Sequence, residues 1–339
     1  DNNKKIIKLS SNENPYGPSP KINEILQSKD FLTKLHRYPE IDGSSLRQAI
    51  SKYHSIDSER IILGSGSDEI LLFAALAFCQ DGDDILHANH GFEMYSIVSK
   101  IVGAVPKKII EDSNFNIKID SLLDQISDAT KVIYIASPNN PTGTYLTRDQ
   151  VLDLMYKIPK NIIVVIDGAY VEYVEDINYD KGFSLLNEFD NLILTRTFSK
   201  TYGLAALRIG WCYTSEKVAN IINKIKPPFN TTAISQSIAI KALEDKEYID
   251  DIVKLNFDIK RWFESQLKLL NIKVRSTEGN FSLIESSNET IDKIYNHLIN
   301  DGIITRRLNS YDLSNFLRIS IGTKEEMEET IKSLQSFNE

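Results

Sequence analysis

The segment TRTFSKTYGLAALRIGW, Thr195 to Trp211, sets Ser199, Lys200 and Arg208 directly behind an apolar run, NLIL, that reads as a buried strand. A lysine at the end of such a strand is partly desolvated, and a nearby arginine repels its charge. Both effects favour the neutral, nucleophilic amine, which can condense with an aldehyde. For any single lysine an exposed loop position is the ordinary alternative. Three further stretches alter that balance. In RIILGSGSDE, Gly64 and Gly66 fall between a strand and a helix, so the backbone N–H groups at Ser67 and Asp68 can face an anion that the helix dipole also favours. Taken alone, the same residues make a strand-to-helix turn with Ser67 or Asp68 as N-cap, and neither nucleotide motif, GxxxxGKS/T or GxGxxG, is matched. IIVVIDGAY puts Asp167 at the carboxyl end of an apolar strand, where open α/β sheets bind ligands and where a buried carboxylate needs a cation. An N-cap or a salt-bridged aspartate explains it equally well. Tyr170, and Asn140 in SPNNPTG behind VIYIA, fall at the same edge, and each by itself is a turn residue.

An anion cradle, an acid, polar loop residues and an amine flanked by serine and arginine together suit one ligand. It would carry a phosphate, a basic ring nitrogen and an aldehyde, and pyridoxal 5'-phosphate (PLP) has all three.

The elements that must hold these groups follow from hydrophobic periodicity. Between Lys131 and Phe198, apolar runs (VIYIA, IIVVID, NLILT) alternate with amphipathic stretches such as LTRDQVLDLMYKI. Strands apolar throughout, separated by helical patterns, predict a mostly parallel sheet covered on both faces. RIILG and IGWCYT read as further strands and DEILLFAALAF as a buried helix. The pattern breaks at IKPPFN, where Pro227-Pro228 cannot continue a helix. Amphipathic helices then follow, with strands expected at FSLIE and FLRISIG, which predicts a second, smaller α+β domain.

A chain of 339 residues can bury a large core without metals or disulfides. Its formal charge of −8 argues against a nucleic-acid partner, and no apolar run approaches the roughly 20 residues that span a bilayer. Cys79 and Cys212 are too few and too distant for a disulfide framework, so a reducing, cytoplasmic setting is expected. The first residues, DNNKKIIKLS, have no signal-peptide h-region, and an upstream segment is expected to be missing. His87 and His90 form HxxH without a third ligand cluster, so no metal site is expected. Met94-Tyr95 is expected to pack, and KEEMEE to be a solvated helix face.

Over nearly its whole length the chain resembles the fold-type I PLP-dependent aminotransferases of class I/II, and within them most closely the histidinol-phosphate aminotransferases. The resemblance is carried, in the family's order, by LSSNENPYGPSP, RYPEIDGSSLRQAI, GSGSDE, GFEMYS, SPNNPTG, DGAYVEY, RTFSKTYGLAALRIGW and FLRISIGT. It implies a large α/β domain with a seven-stranded type of sheet that binds PLP, and a smaller α+β domain. The corresponding divisions are an arm at 1–34 belonging to the small domain, the large domain at 35–235 and the C-terminal small domain at 236–339. Lys200 would hold the cofactor and move the substrate proton, Asp167 would pair with the ring nitrogen, and Asn140 and Tyr170 would hydrogen-bond its phenolic oxygen. Phe92 would stack on the ring. Ser199, Arg208 and the backbone at Ser67 and Asp68 would hold the phosphate, and Tyr38 would reach it from a neighbouring subunit, which implies a homodimer with shared active sites. Arg318 would anchor the substrate's carboxylate or phosphate. Arg306 would take the distal anion, with Arg307 as the neighbouring alternative, and Asn140 would also border the substrate.

The implied reaction moves an amino group from L-histidinol phosphate to 2-oxoglutarate, giving imidazole acetol phosphate and glutamate in histidine biosynthesis. Aromatic amino-acid transamination, decarboxylation of a phosphorylated amino acid and, from another class, ligand binding without catalysis are the rival readings. The sequence departs from the family at three points. Gly168 stands where a glutamate is usual, Ala206 where a glycine is common, and ANHGFEMY lacks the proline before the stacking aromatic. The resemblance also implies an N-terminal tyrosine that touches the substrate phosphate, expected upstream of Asp1.

Overall fold

The computed structural model describes residues 6–28 and 33–338. Its strands in chain order are β1 (Ile7–Lys8), β2 (Ile61–Gly64), β3 (Asp84–Ala88), β4 (Val105–Ile109), β5 (Thr130–Ala136), β6 (Ile163–Asp167), β7 (Leu192–Thr197) and β8 (Gly210–Thr214). They continue with β9 (Lys273–Arg275), β10 (Phe281–Glu285), β11 (Ile303–Ile304), β12 (Arg306–Arg307) and β13 (Phe316–Ser320).

Seven strands form the large sheet in the order β2-β8-β7-β6-β5-β3-β4. The pairs β7–β6, β6–β5, β5–β3 and β3–β4 are parallel, while β8 runs antiparallel to both β7 and β2. The carboxyl ends of β2, β5, β6 and β7 and the amino end of β8 therefore share one edge. The expected mostly parallel sheet is present.

Alternation along the central strands explains why they are apolar throughout. Ile133, Ile135, Val164, Ile166, Leu192 and Leu194 face one layer, with Leu46, Ile50, Leu154 and Ala239. Their neighbours Val132, Tyr134, Ile163, Val165 and Ile193 face the other, with Ile70, Phe73, Val98 and Ile222. Helices Ser44–His54, Arg148–Lys157 and Ala233–Leu243 supply the first cover, and Ser67–Phe78, Met94–Ile101 and Glu216–Ile225 the second. A strand buried on both sides cannot afford a polar face. At the sheet edge β4 carries Lys107 and Lys108 outward, which disfavours further strand pairing.

The second sheet is antiparallel, in the order β12-β13-β10-β9, with one face under helices Lys246–Leu269, Asn288–Asn300 and Lys324–Asn338. Ile284, Leu317 and Ile319 pack there against Phe263, Leu267, Ile291 and Met327. The KEEMEE run is thus solvated except at Met327, which is fully buried. The N-terminal strand β1 pairs in parallel with β11, tying the start of the chain to this part of the molecule. Ala233–Leu243 packs against Ser44–His54, so the large-sheet core continues past residue 235. No helix among the described residues is long and apolar enough to cross a membrane.

At the end of Ser44–His54 the His54 ring lies 5.1 Å from Trp211 and 5.2 Å from Phe183. Burial, reinforced by the charges of Arg196 and Lys181, pushes its pKa down to about 3. The unfolded chain binds this proton near pH 6.5 and the folded one does not, so the contribution is intact above that pH and is lost as pH falls towards 3. Between pH 8 and pH 5 this one group should cost about 2 kcal/mol of stability. Urea unfolding at both pH values, compared with His54→Phe, checks this. The variant should lose that part of the pH dependence.

Candidate active site

The shared edge of the large sheet holds a cavity of about 140 Å³. Ser67, Asp68, Phe92, Asn140, Asp167, Tyr170, Ser199, Lys200 and Arg208 line it, together with Tyr95, Ala136, Pro138, Ala169 and Thr197. Residues up to 141 positions apart in sequence, Ser67 and Arg208, meet because β2 and β7 both flank β8.

At one end, β2 turns through Gly66 into helix Ser67–Phe78, whose start has no side-chain cap. Gly66 adopts φ +80, and a Cβ there would lie 2.5 Å from Arg208 Nη2. A Cβ on Gly210 would lie 2.5 Å from the Ser67 nitrogen. Both glycines thus let the helix start, β8 and the guanidinium approach closely. Arg208 itself holds a left-handed φ of +49, a conformation that costs a non-glycine residue about 1–2 kcal/mol. It donates to Asp68 Oδ2 at 3.0 Å and to Ser199 Oγ at 3.4 Å. A guanidinium, a hydroxyl and a helix N-terminus together make an anion cradle.

Asp167 ends β6, between Ala136 of β5 and Thr195 of β7. It is 4% exposed and accepts from Thr195 Oγ1 at 2.7 Å and from Tyr95 OH at 2.9 Å. Burial pushes its pKa up, against the lowering effect of those two hydrogen bonds. A carboxyl in this state, facing a cavity, is stabilised by a cationic ligand group. Tyr95 also stacks on Tyr134 at 5.1 Å, so it packs as expected and binds the carboxylate as well.

Lys200 follows β7 and donates to the Ser11 carbonyl at 3.0 Å, with Nζ 5.6 Å from the Tyr170 ring centroid. Phe92 meets Tyr95 edge-on at 5.9 Å and borders the cavity despite the missing proline.

Arg318, on β13, is not among the residues that line the cavity and touches the lining at Asn140. Leu317 and Ile319 face the helices, so period two turns Arg318 the other way. It is 5% exposed, donates through Nη1 to Asn140 Oδ1 and through Nη2 to the Ser10 carbonyl at 2.6 Å, and its Nε is unpaired. Arg306 sits opposite Arg318 in β12 and so shares its face. Arg307 points away, with Nη2 2.8 Å from Asp292, which identifies Arg306 as the arginine on the cavity side of the sheet. Arg306 is exposed and does not line the cavity.

Tyr38 also lies outside the cavity. It is 80% exposed and stacks on Phe229 with centroids 4.6 Å apart.

The departure at Gly168 has a packing counterpart. A Cβ there would collide with the buried Arg196 guanidinium, which donates to the Thr195 carbonyl at 2.7 Å and to that of Lys181. Arg196 therefore takes the room that a larger residue 168 would need. The two histidines serve structure: His87 bonds Ser96 and the Ala88 carbonyl, and His90 pairs with Glu111. No cluster able to hold a metal ion occurs among the described residues.

Sequence reasoning missed Tyr95 as a ligand of Asp167, and also Thr195 and Asn12, which donates to the Tyr170 hydroxyl at 3.0 Å. Thr195 was within reach, since a polar residue in a doubly buried strand needs a partner. Asn12 lies 158 positions from Tyr170 and gave no local indication. The cavity thus presents an anion cradle at one end, a buried carboxyl on its wall and a primary amine. These groups complement a phosphate, a basic ring nitrogen and an aldehyde.

The family model described as aminotransferase class I and II matches residues 4–334. The chain is 40% identical to the histidinol-phosphate aminotransferase of Pelagibacter ubique, over 97% of this chain and 92% of that one. It is 39% identical to that of Zymomonas mobilis, over 98% and 90%. Among solved structures, the histidinol-phosphate aminotransferase of Sinorhizobium meliloti in complex with pyridoxal-5'-phosphate superimposes with a TM-score of 0.91 at 22% identity, covering 98% of this chain and 91% of that one. The L-threonine-O-3-phosphate decarboxylase of Porphyromonas gingivalis gives 0.80 at 18% identity, covering 98% and 99%. At these identities the structural likeness speaks for the fold.

Removing either donor to Asp167 should raise its pKa further. Thr195→Val and Tyr95→Phe are each expected to cost about 1–3 kcal/mol at pH 8, where an ionised carboxylate lacks a partner. A carboxyl with a raised folded pKa is destabilising once ionised, so the cost should shrink as falling pH protonates it. Urea unfolding across pH, with carbon-detected NMR of the Asp167 carboxyl, reads both effects.

Proposed function

The chain belongs to the class I and II aminotransferase family, and from that premise we propose that it transfers an amino group from L-histidinol phosphate to 2-oxoglutarate with PLP as cofactor. The observation that carries this reading is the convergence of Lys200, Asp167 and Arg208 on one cavity. The substrate rests on the 36–40% identity to histidinol-phosphate aminotransferases along almost the entire chain.

When bound, PLP supplies an electron sink for the pair left behind as the substrate Cα loses its proton. The protein's own groups do the rest. Arg208, the Ser199 hydroxyl and the helix start at Ser67 and Asp68 hold the phosphate. Asp167 would pair with the ring nitrogen and keep it protonated, and that cation would offset the cost of burying the carboxylate. Asn140 and Tyr170 would donate to its phenolic oxygen, and Phe92 would pack against the ring. The Asn140 amide suits this role because its oxygen already accepts from Arg318, which leaves its N–H groups to donate. Lys200 would hold the cofactor through its amine, and the free amine would carry the proton from Cα as general base and acid. Arg318 and Arg306 receive the substrate's anionic ends, a carboxylate in one half-reaction and a phosphate ester in the other, because a planar guanidinium accepts either in the same bidentate geometry.

Exposed Tyr38, beside Phe229, completes the phosphate site of a second copy, so the working form is a homodimer with shared active sites. The free thiols of Cys79 and Cys212 suit a cytoplasmic enzyme.

Lys200→Ala should lower turnover by at least about 10²–10⁴-fold, the usual weight of a general base, and abolish the borohydride-sensitive absorption that PLP gives with the wild type. An undiminished rate in that variant would sink the proposal. Arg318→Ala should raise KM for both substrates by about 10–100-fold, as expected for a lost charge-assisted hydrogen bond. Parallel assays with phenylpyruvate, and for CO₂ release from threonine phosphate, test the substrate. Faster turnover of either would reassign it within the family.

A further inference from the structure

Asn12 lies in the stretch SSNENPYG, is 1% exposed and holds a left-handed φ of 54. Every polar group it carries is engaged. Its backbone N–H donates to Ser320 Oγ at 2.8 Å, and its carbonyl accepts from Asn280 Nδ2 at 2.9 Å. Ser320 Oγ, already an acceptor, donates in turn to Asn12 Oδ1 at 2.8 Å. That reciprocal pair fixes the amide orientation, because an Asn12 flipped by 180° would present N–H groups to a hydroxyl that needs an acceptor. Nδ2 is thereby directed at the Tyr170 hydroxyl, 3.0 Å away.

Tyr170 has one hydroxyl proton, and Asn12 occupies a lone pair of its oxygen, so that proton cannot lie on the line to Asn12. Tyr170 is 4% exposed, and its open side is the cavity. We propose that Asn12 is a positioning residue that sets the direction of the Tyr170 hydroxyl, making it a donor into the cavity and not an acceptor from it. The inference rests on the PLP reading of that cavity, in which Tyr170 faces the cofactor's phenolic oxygen. A phenol that accepts one hydrogen bond donates a stronger one, so Asn12 also raises the strength of that donation. Ser320 stands two residues beyond Arg318 on β13, which links the polarity of Tyr170 to the strand bearing the substrate arginine.

The test is the pH dependence of the bound cofactor's absorption, since a donor to the phenolic oxygen favours the deprotonated form of the chromophore. Wild type, Asn12→Gly, Tyr170→Phe, the double variant and Ser320→Ala are compared as holoenzymes. Glycine keeps the left-handed backbone while removing the amide. In Asn12→Gly the transition should move upward by roughly half to one pH unit, the size of one neutral hydrogen bond. Ser320→Ala, which leaves the backbone of β13 intact, should move it the same way by less. In the Tyr170→Phe background Asn12→Gly should add nothing. An unmoved transition, or an equal shift with and without the Tyr170 hydroxyl, overturns the inference and leaves the functional reading standing. Failure of the wild type to form any borohydride-sensitive chromophore with PLP overturns both.

Discussion

A carboxyl group held at the end of a central strand, with burial working against its charge, organises this molecule. Among the described residues no arginine or lysine forms an ion pair with Asp167, and the hydrogen bonds it accepts come from the neutral hydroxyls of Tyr95 and Thr195. Burying an ionised carboxylate on those terms is costly. The cost is tolerable because the rest of its strand, Ile163 to Ile166, is apolar and buried, and a cationic ring nitrogen in the cavity would relieve it. The fold stores a local disadvantage that ligand binding removes, which is a common condition of functional sites.

The surrounding architecture serves that point in two layers. The large sheet brings the strand ends together: β2 and β7 both border β8, so the helix start at Ser67 and the loop after Thr197 become neighbours. Close approach there needs glycine at 66 and 210 and a strained backbone at Arg208. The smaller antiparallel sheet then addresses the cavity from the other side through one face of β13, where Arg318 reaches Asn140 and Ser320 reaches Asn12. Between the two sheets runs the stretch from Ser10 to Asn12. Its backbone carbonyls accept from Arg318, Lys200 and Asn280, and its one buried side chain meets Tyr170. A short segment thus touches the groups assigned to substrate, cofactor and proton transfer.

The Gly168–Arg196 relation shows how such a site can absorb a change of residue type. At Gly168 the chain has no side chain, and the buried Arg196 guanidinium fills the volume beside it. Arg196 follows Thr195 within β7, and its positive charge acts on Asp167 in the direction that favours ionisation. Arg196 does not itself face the cavity.

The sequence by itself determined the doubly covered parallel sheet, because strands buried on both faces must present apolar residues to both, and VIYIA, IIVVI and LIL do. It also determined that Asp167, Asn140, Ser199, Lys200 and Arg208 gather at one edge, since each directly follows or ends such a strand or begins the next. Alternation within FLRISIG gave Arg318 its direction. What only the tertiary structure decided are the contacts between parts of the chain with no local pattern in common: Tyr95 and Thr195 on Asp167, Asn12 on Tyr170, Arg196 beneath Gly168, and the face shared by Arg306 and Arg318. Hydrophobic periodicity reports which side of an element is buried. It carries no information about which hydroxyl or amide, more than a hundred residues away, will arrive to satisfy a buried polar group, because that is set by how whole layers pack.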